Sequence, residues 1–95
     1  MTSSPALSLL AAEPVDAPAV ARLAALDETE PLAGPVLLAV ADGRPVAALS
    51  VTDGRVAADP FTHTADAVAM LRLRARQQRR SGGRRLGLLR LGLAA

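Results

Sequence analysis

The chain contains no cysteine, lysine, asparagine, isoleucine, tyrosine or tryptophan. Without cysteine it forms no disulfide and no thiolate metal site. Phe61 is the only aromatic residue and His63 is the only imidazole. The missing residue types that have AT-rich codons, beside abundant alanine and arginine, indicate a GC-rich bacterial genome.

Long apolar runs are also missing. No segment reaches the roughly 18 consecutive apolar residues that a membrane-spanning helix needs. The first positively charged side chain is Arg22, so the N-terminus has no basic region of a signal peptide. We therefore expect a cytoplasmic protein with no transmembrane segment, and a length of 95 residues predicts a single domain.

The apolar residues of the chain are mostly small. Hydrophobic residues make up 51% of the sequence, but 21 of them are alanine and only 16 are leucine. Burying a leucine is worth roughly 1.5–3 kcal/mol, and burying an alanine is worth far less. We therefore expect a thin core that a partner surface completes, either a second copy in a homodimer or another protein.

The net charge of +2 conceals two regions of opposite charge. Residues 1–71 hold three arginines and nine acids, whereas residues 72–95 hold eight arginines and no acid. Such asymmetry is typical of a chain whose basic end binds anions. The candidate anion-binding residues are Arg72, Arg76, Arg79, Arg80, Arg84 and Arg85.

The first quarter of the chain predicts a strand and a helix. Residues 6–12 form a short apolar run that favours a strand. Asp16 occupies the position of an N-cap, and Pro18 falls in the first turn, where proline is tolerated. The helix predicted over residues 16–27 has one apolar side, made of Val20, Leu23, Ala24 and Leu26.

The clearest pattern is a meander of three antiparallel strands. Two apolar runs at residues 36–41 and 46–51 are joined by an Asp-Gly pair, which accepts the positive φ of a tight hairpin. A second Asp-Gly pair at residues 53–54 leads into a short third strand at residues 55–58.

A second helix is predicted to begin at Thr62 or Thr64 and to end at residues 81–83, which read SGG. Its buried side is predicted to hold Ala67, Val68, Leu71 and Ala75. Met70 and Leu73 fall on another side, which is a weaker apolar surface and a candidate dimer contact.

These elements predict an α+β fold. In this fold the N-terminal strand and the meander form one antiparallel sheet, and the two helices pack on it. The domain is predicted to cover residues 1–80. Residues 81–95 are rich in arginine, leucine and glycine, and we predict a disordered basic tail there.

Two segments resemble the N-terminal half of GNAT-superfamily N-acetyltransferases. Residues 13–23, EPVDAPAVARL, resemble the first helix of that family, and the hairpin at residues 36–51 with its DGRPV turn resembles the second and third strands. The order of the two motifs carries the resemblance, which spans residues 6–75. It implies an acetyltransferase-like half-domain.

The chain departs from that family where acetyl-CoA would bind. The family has an Arg/Gln-x-x-Gly-x-Gly/Ala loop before a helix, because glycines let backbone N–H groups approach a pyrophosphate. Residues 59–66 read DPFTHTAD here, with no glycine, no arginine and two acids. The resemblance therefore implies the fold of a half-domain, and the missing pyrophosphate loop argues against acetyltransferase activity.

Several isolated polar residues have simple structural explanations. His63 is the only histidine of a chain that has no cysteine, and a usual metal site takes three or four ligands of suitable type, so a metal site is not expected there. Ser50 lies in a strand, where a hydroxyl usually faces solvent, and no Gly-x-Ser-x-Gly motif surrounds it. Asp42 and Asp53 each precede a glycine in a tight turn, and the turn accounts for both.

Three functions remain open on the sequence alone. The first is a non-enzymatic GNAT-like half-domain that dimerises or docks to a partner. The second is a divergent N-acetyltransferase that builds its cleft across a dimer and places Arg72, Arg76 or Arg79 on acetyl-CoA phosphates. The third is an accessory protein that binds nucleic acid or another polyanion through the arginine-rich end.

Overall fold

The computed structural model describes the backbone of residues 7–94 and the side chains of residues 7–80. One four-stranded antiparallel sheet and two helices make up this part of the chain, which confirms the predicted α+β class. The elements are β1 (Leu7–Ala11), α1 (Ala17–Leu26), β2 (Val36–Ala41), β3 (Arg44–Ser50), β4 (Val56–Ala58) and α2 (Ala65–Ala94).

The strands lie side by side in chain order, and every neighbouring pair is antiparallel. The β2–β3 hairpin turns at Asp42 and Gly43, whose φ angles of 51° and 77° are those that this tight turn requires. The predicted meander is therefore confirmed. The predicted N-terminal strand extends it as β1, whose outer edge is one edge of the sheet.

The start of β3 contains a β-bulge. Pro45 lies opposite Val40 and Ala47 lies opposite Ala39, so Val46 between them has no partner on β2. A bulge near the start of a strand tolerates proline, which explains how Pro45 fits in a central strand. The bulge also turns Val46 and Ala47 toward the same hydrophobic cluster.

The two helices pack on opposite faces of the sheet. Alternation along β2 sends Leu37 into the cluster with α2 and Leu38 into the cluster with α1. Leu71 is fully buried on the α2 face and Leu23 on the α1 face. The molecule therefore has three layers, with the sheet in the middle.

A short 3₁₀ turn, Pro14–Asp16, leads directly into α1. The Asp16 carboxylate accepts a hydrogen bond of 2.8 Å from the backbone N–H of Glu13 and makes none to α1. Asp16 thus stabilises the 3₁₀ turn, where the sequence predicted a side-chain cap on the helix. Val20, Leu23 and Ala24 on the predicted apolar side of α1 are buried, whereas Leu26 is only half-buried and belongs to neither hydrophobic cluster.

Helix α2 begins after Thr64, whose carbonyl accepts the N–H of Val68 at 2.8 Å. Ala67, Leu71 and Ala75 are buried, as predicted. The helix then continues past the glycines of residues 81–83 to Ala94, so the predicted end there is wrong. Each glycine costs about 1 kcal/mol relative to alanine, whereas the arginines and leucines around them cost little.

The predicted boundary between a domain of residues 1–80 and a disordered tail of residues 81–95 stays a prediction. It concerns a stretch whose side chains lie outside the described part of the chain.

Candidate functional site

The connection between β4 and α2 is closed by the carboxylate of Asp59, which is buried. One carboxylate oxygen accepts the backbone N–H of Phe61 at 2.8 Å, and the other accepts the hydroxyl of Thr62 at 3.2 Å. The backbone N–H of Asp59 donates to the carbonyl of Val46 at 2.9 Å. The Asp59 carboxylate therefore occupies the loop before α2. It already accepts the backbone N–H of Phe61, which a bound phosphate would need in the same loop.

Ser50 is fully buried, so the prediction that its hydroxyl faces solvent is wrong. Its hydroxyl donates to the carbonyl of Ala33 at 3.0 Å. The reason is tertiary: residues 27–35 return from α1 across the end of β3, and Ser50 holds that loop in place. Ser50 is thus a structural residue with its hydrogen bond made.

Asp53 stabilises the turn between β3 and β4. Its carboxylate accepts the backbone N–H of Arg55 at 2.9 Å, and this hydrogen bond is the main cause that lowers the pKa of Asp53 below its ordinary value of 3.8. This supports the prediction from the sequence that Asp53 has a structural role in the turn. Asp42 lies in the other turn with a positive φ.

Two further residues close the outer edge of β4, and no sequence pattern indicated either of them. A carboxylate oxygen of Asp27 accepts the backbone N–H of Ala58 at 3.1 Å. The Nη2 atom of Arg55 donates to the hydroxyl of Thr29 and to the carbonyl of Glu30, both at 2.9 Å. The loop after α1 thus protects this edge strand, whereas β1 carries no such cover from the described residues.

A groove of about 510 Å³ lies between the first turns of α2 and the β1 side of the sheet. His63 and Asp66 line it, and both side chains are exposed. The rest of the groove lining is apolar and consists of Leu7, Ala41, Val46, Ala67, Ala69 and Met70.

An exposed apolar surface continues from this groove along α2. Met70 is 46% exposed and Leu73 is 54% exposed. The spacing of Asp66, Met70 and Leu73 puts all three on one side of the helix, and Asp66 and Met70 line the groove. We call Met70, Leu73 and the groove beside them the Met70 surface. The second apolar surface predicted from the sequence therefore lies exposed.

A smaller groove of about 350 Å³ lies on the other face of the sheet, between α1 and the loop that follows it. Val20 and Leu32 line it, and both belong to the hydrophobic cluster around α1. No candidate chemical group from the sequence faces this groove.

Three of the basic candidate residues occupy another side of α2. Arg72, Arg76 and Arg79 are exposed, and their spacing of four and three residues aligns them in one row. We call this row the arginine row. Arg74 and Arg80 are also exposed, while the side chains of Arg84 and Arg85 lie outside the described residues. The row lies roughly a third of a turn from Met70 and Leu73, at about 100° per residue.

The three-layer fold separates opposite charges. Five of the nine acids flank the two ends of α1, the helix that packs on the face of the sheet opposite α2. They are Glu13, Asp16, Asp27, Glu28 and Glu30. The arginine row is therefore on the layer that holds the fewest acids.

The described residues contain no group of three or more histidine and acidic side chains placed to hold a metal ion. Among the helices in that part of the chain, none is both long and apolar enough to cross a membrane. Comparison of the whole chain with protein-family models, with curated proteins and with solved structures finds no match.

Proposed function

We propose that this chain is a non-enzymatic interaction domain, an acetyltransferase-like half-domain that self-associates through the Met70 surface. The observation that carries the proposal is the exposed apolar side of α2, where Met70 and Leu73 border an apolar groove. Isolated exposed apolar residues are ordinary, but a contiguous patch beside a groove is typical of a binding surface.

The small core supports this proposal. Leu23, Leu38, Leu49 and Leu71 are the only leucines among the largest fully buried side chains of the described residues, and the other buried positions are largely alanine and valine. A small domain with so little buried volume gains stability when a second surface covers its remaining apolar area.

The charge pattern of α2 favours a second copy as the partner. Consider two α2 helices that pack antiparallel and cross at the position between Met70 and Leu73. In this arrangement Asp66 of one copy lies opposite Gln77 of the other copy. Arg80 of that other copy is then one helical turn away from Asp66. Asp66 and Arg80 are both exposed, so an acid at one end of the contact can meet a base at the other on both sides of the two-fold axis.

The loop before α2 argues against the acetyltransferase alternative. Its backbone is held by the Asp59 carboxylate, and Asp66 adds a second acid in the first turn of the helix. Both charges repel a pyrophosphate at the position where the resemblance would place one. The resemblance thus supports the proposed architecture and gives no support to an acetyl transfer reaction.

Sedimentation velocity over a concentration series tests the proposal on three proteins. They are the full chain, the double variant Met70→Asp/Leu73→Asp, and Val15→Asp as a control, since Val15 is 79% exposed in the 3₁₀ turn before α1, away from the Met70 surface. We expect a dimer for the full chain and for the control. A buried unpaired carboxylate costs at least about 1.4 kcal/mol. The dimer of the double variant should therefore have a dissociation constant more than about tenfold higher than that of the full chain.

Circular dichroism of each variant checks that the fold is kept, which we expect because all three substituted side chains are exposed. A full chain that stays monomeric at every concentration contradicts the proposal. A dimer that the double variant leaves intact moves the contact to another surface and contradicts it as well.

A further inference from the structure

We propose that the arginine row of α2 binds the phosphate backbone of a nucleic-acid duplex. This inference goes beyond the self-association proposed above and rests on a different side of the same helix. Arginine suits the task because its planar group donates several hydrogen bonds to phosphate oxygens and keeps its charge at every physiological pH.

The geometry of the row matches a phosphate chain. Arg72, Arg76 and Arg79 are all exposed on one side of a regular helix. The row is about 10 Å long at a rise of about 1.5 Å per residue. The two strands of a duplex together carry one phosphate charge about every 1.7 Å of the axis, so a row of this length lies within reach of at least three phosphates.

The charge separation across the sheet favours the approach of a polyanion to the α2 side of the molecule, where the arginine row lies. Five acids flank α1, which packs on the opposite face of the sheet from α2, while residues 72–80 contain five arginines and no acid. A polyanion that approaches α2 therefore meets a positive field, and the far face repels it. This orientation raises the rate of association and selects the face that binds.

The composition of the row favours a duplex over a single strand. Proteins that bind single strands stack bases on aromatic side chains. The one aromatic residue, Phe61, is exposed but precedes α2 and lies outside the row. Contacts limited to phosphates position a protein on a duplex without reading its bases, so we expect binding that is independent of base sequence.

An anionic membrane is the weaker occupant for the same surface. A helix that lies on a membrane inserts a broad apolar face, and its binding strength grows with the apolar area that it buries. In the described part of α2, the exposed large apolar side chains are Met70 and Leu73, and they belong to the Met70 surface, so little apolar area is left for a membrane.

Fluorescence anisotropy with a labelled 20-base-pair DNA duplex tests the inference over a series of salt concentrations. The full chain is compared with the triple variant Arg72→Gln/Arg76→Gln/Arg79→Gln. The matched control is Arg22→Gln/Arg44→Gln/Arg74→Gln, which loses the same three charges from other exposed positions. The arginines of residues 81–95 stay in every protein, so their contribution cancels in the comparison.

We expect the full chain to bind and its affinity to fall steeply with salt. Each phosphate contact contributes about −0.9 to the slope of log affinity against log salt concentration, so the triple variant should have a slope shallower by about 2.7. The control variant should keep the slope of the full chain, and two duplexes of unrelated sequence should bind equally.

Three results would overturn the inference. The first is the absence of binding to the duplex at low salt. The second is an equal loss in the triple variant and the control, since binding would then follow net charge and not the row. The third is tighter binding to phosphatidylserine vesicles than to the duplex, which would assign the surface to a membrane.

Discussion

At the scale of single residues, three polar side chains hold loops against the sheet. Asp27 binds the outer edge of β4, Ser50 binds the loop after α1, and Asp59 closes the loop before α2. Their partners are backbone groups 31, 17 and 2 residues away, respectively. A polar side chain that is buried needs such a partner, so the burial of Ser50 and Asp59 is explained by the bonds they make.

Asp53 gives a prediction about acid stability. The N–H of Arg55 lowers its pKa in the folded chain below the ordinary value of 3.8. A carboxyl group with a lowered pKa stabilises the folded state above the unfolded pKa, and that contribution disappears as the pH falls through the folded pKa. We expect Asp53→Asn to be less stable than the native chain by a constant amount between about pH 5 and pH 7, with a difference that shrinks below about pH 4.

Urea unfolding of both proteins at several pH values measures this difference. NMR titration of the Asp53 carboxyl group, which should give a pKa below 3.8, provides an independent check. A difference in unfolding free energy that stays the same down to the most acidic condition would show that the hydrogen bond does not depend on the charge of Asp53.

At the scale of elements, small residues let the helices come close to the sheet. Ala47, Ala48 and Ala57 are fully buried in the two strands β3 and β4. Ala67 and Ala75 occupy the buried side of α2 on either side of Leu71. Because alanine buries little area, the few leucines supply most of the hydrophobic stabilisation.

Leu71 should therefore be among the most sensitive positions. It is fully buried in the cluster between α2 and the sheet. We expect Leu71→Ala to lower the free energy of unfolding by about 3 kcal/mol, a large part of the total for a domain of this size. Chemical unfolding, at protein concentrations low enough to keep the chain monomeric, measures the loss.

The matched control is Leu73→Ala, two residues further along the same helix. Leu73 is 54% exposed, so its truncation should change the free energy of unfolding by less than about 1 kcal/mol. Equal losses in the two variants would mean that α2 does not pack on the sheet through Leu71.

At the scale of the whole molecule, the sheet separates two chemically different layers. The α1 layer and its loops carry five acids, and the α2 layer carries the arginine row and the Met70 surface. The two surfaces lie on different sides of α2, so a dimer formed through one leaves the other accessible. Self-association and duplex binding are thus compatible in one assembly.

Acetyl-CoA binding tests the remaining alternative. Because Asp59 and Asp66 place two acids at the loop before α2, we expect calorimetric titration with acetyl-CoA at physiological salt to show no saturable binding. Weak binding at low salt that salt abolishes would reflect the arginines alone. Saturable binding that survives physiological salt would restore the acetyltransferase hypothesis and contradict the proposed non-enzymatic function.

Much of the fold could be predicted because the signals are local. The Asp-Gly pair at residues 42–43 requires a tight turn, and the apolar runs on both sides of it have few alternatives to a hairpin. The buried sides of both helices followed from the 3.6-residue period alone. The end of α2 could not be predicted this way, since two glycines weaken a helix without ending it when the neighbouring residues are good helix formers.

The candidate surfaces could be predicted in part. The spacing of Met70 with Leu73, and of Arg72 with Arg76 and Arg79, already placed each set on one side of a helix. The groove beside Met70 was not foreseeable, because Leu7 and Ala41 reach it from strands far away in the chain. Nor was the role of Ser50, since its partner Ala33 lies in another loop.

By itself the sequence determined which elements form and in what order, the hairpin turns, and the opposite charges of the two ends of the chain. These properties depend on backbone preferences and on residue spacing within a few positions. Only the tertiary structure decided that α1 and α2 lie on opposite faces of the sheet, because that choice depends on how alternate residues of β2 fill two separate clusters. The separation of the acids from the arginine row across the sheet follows from that packing.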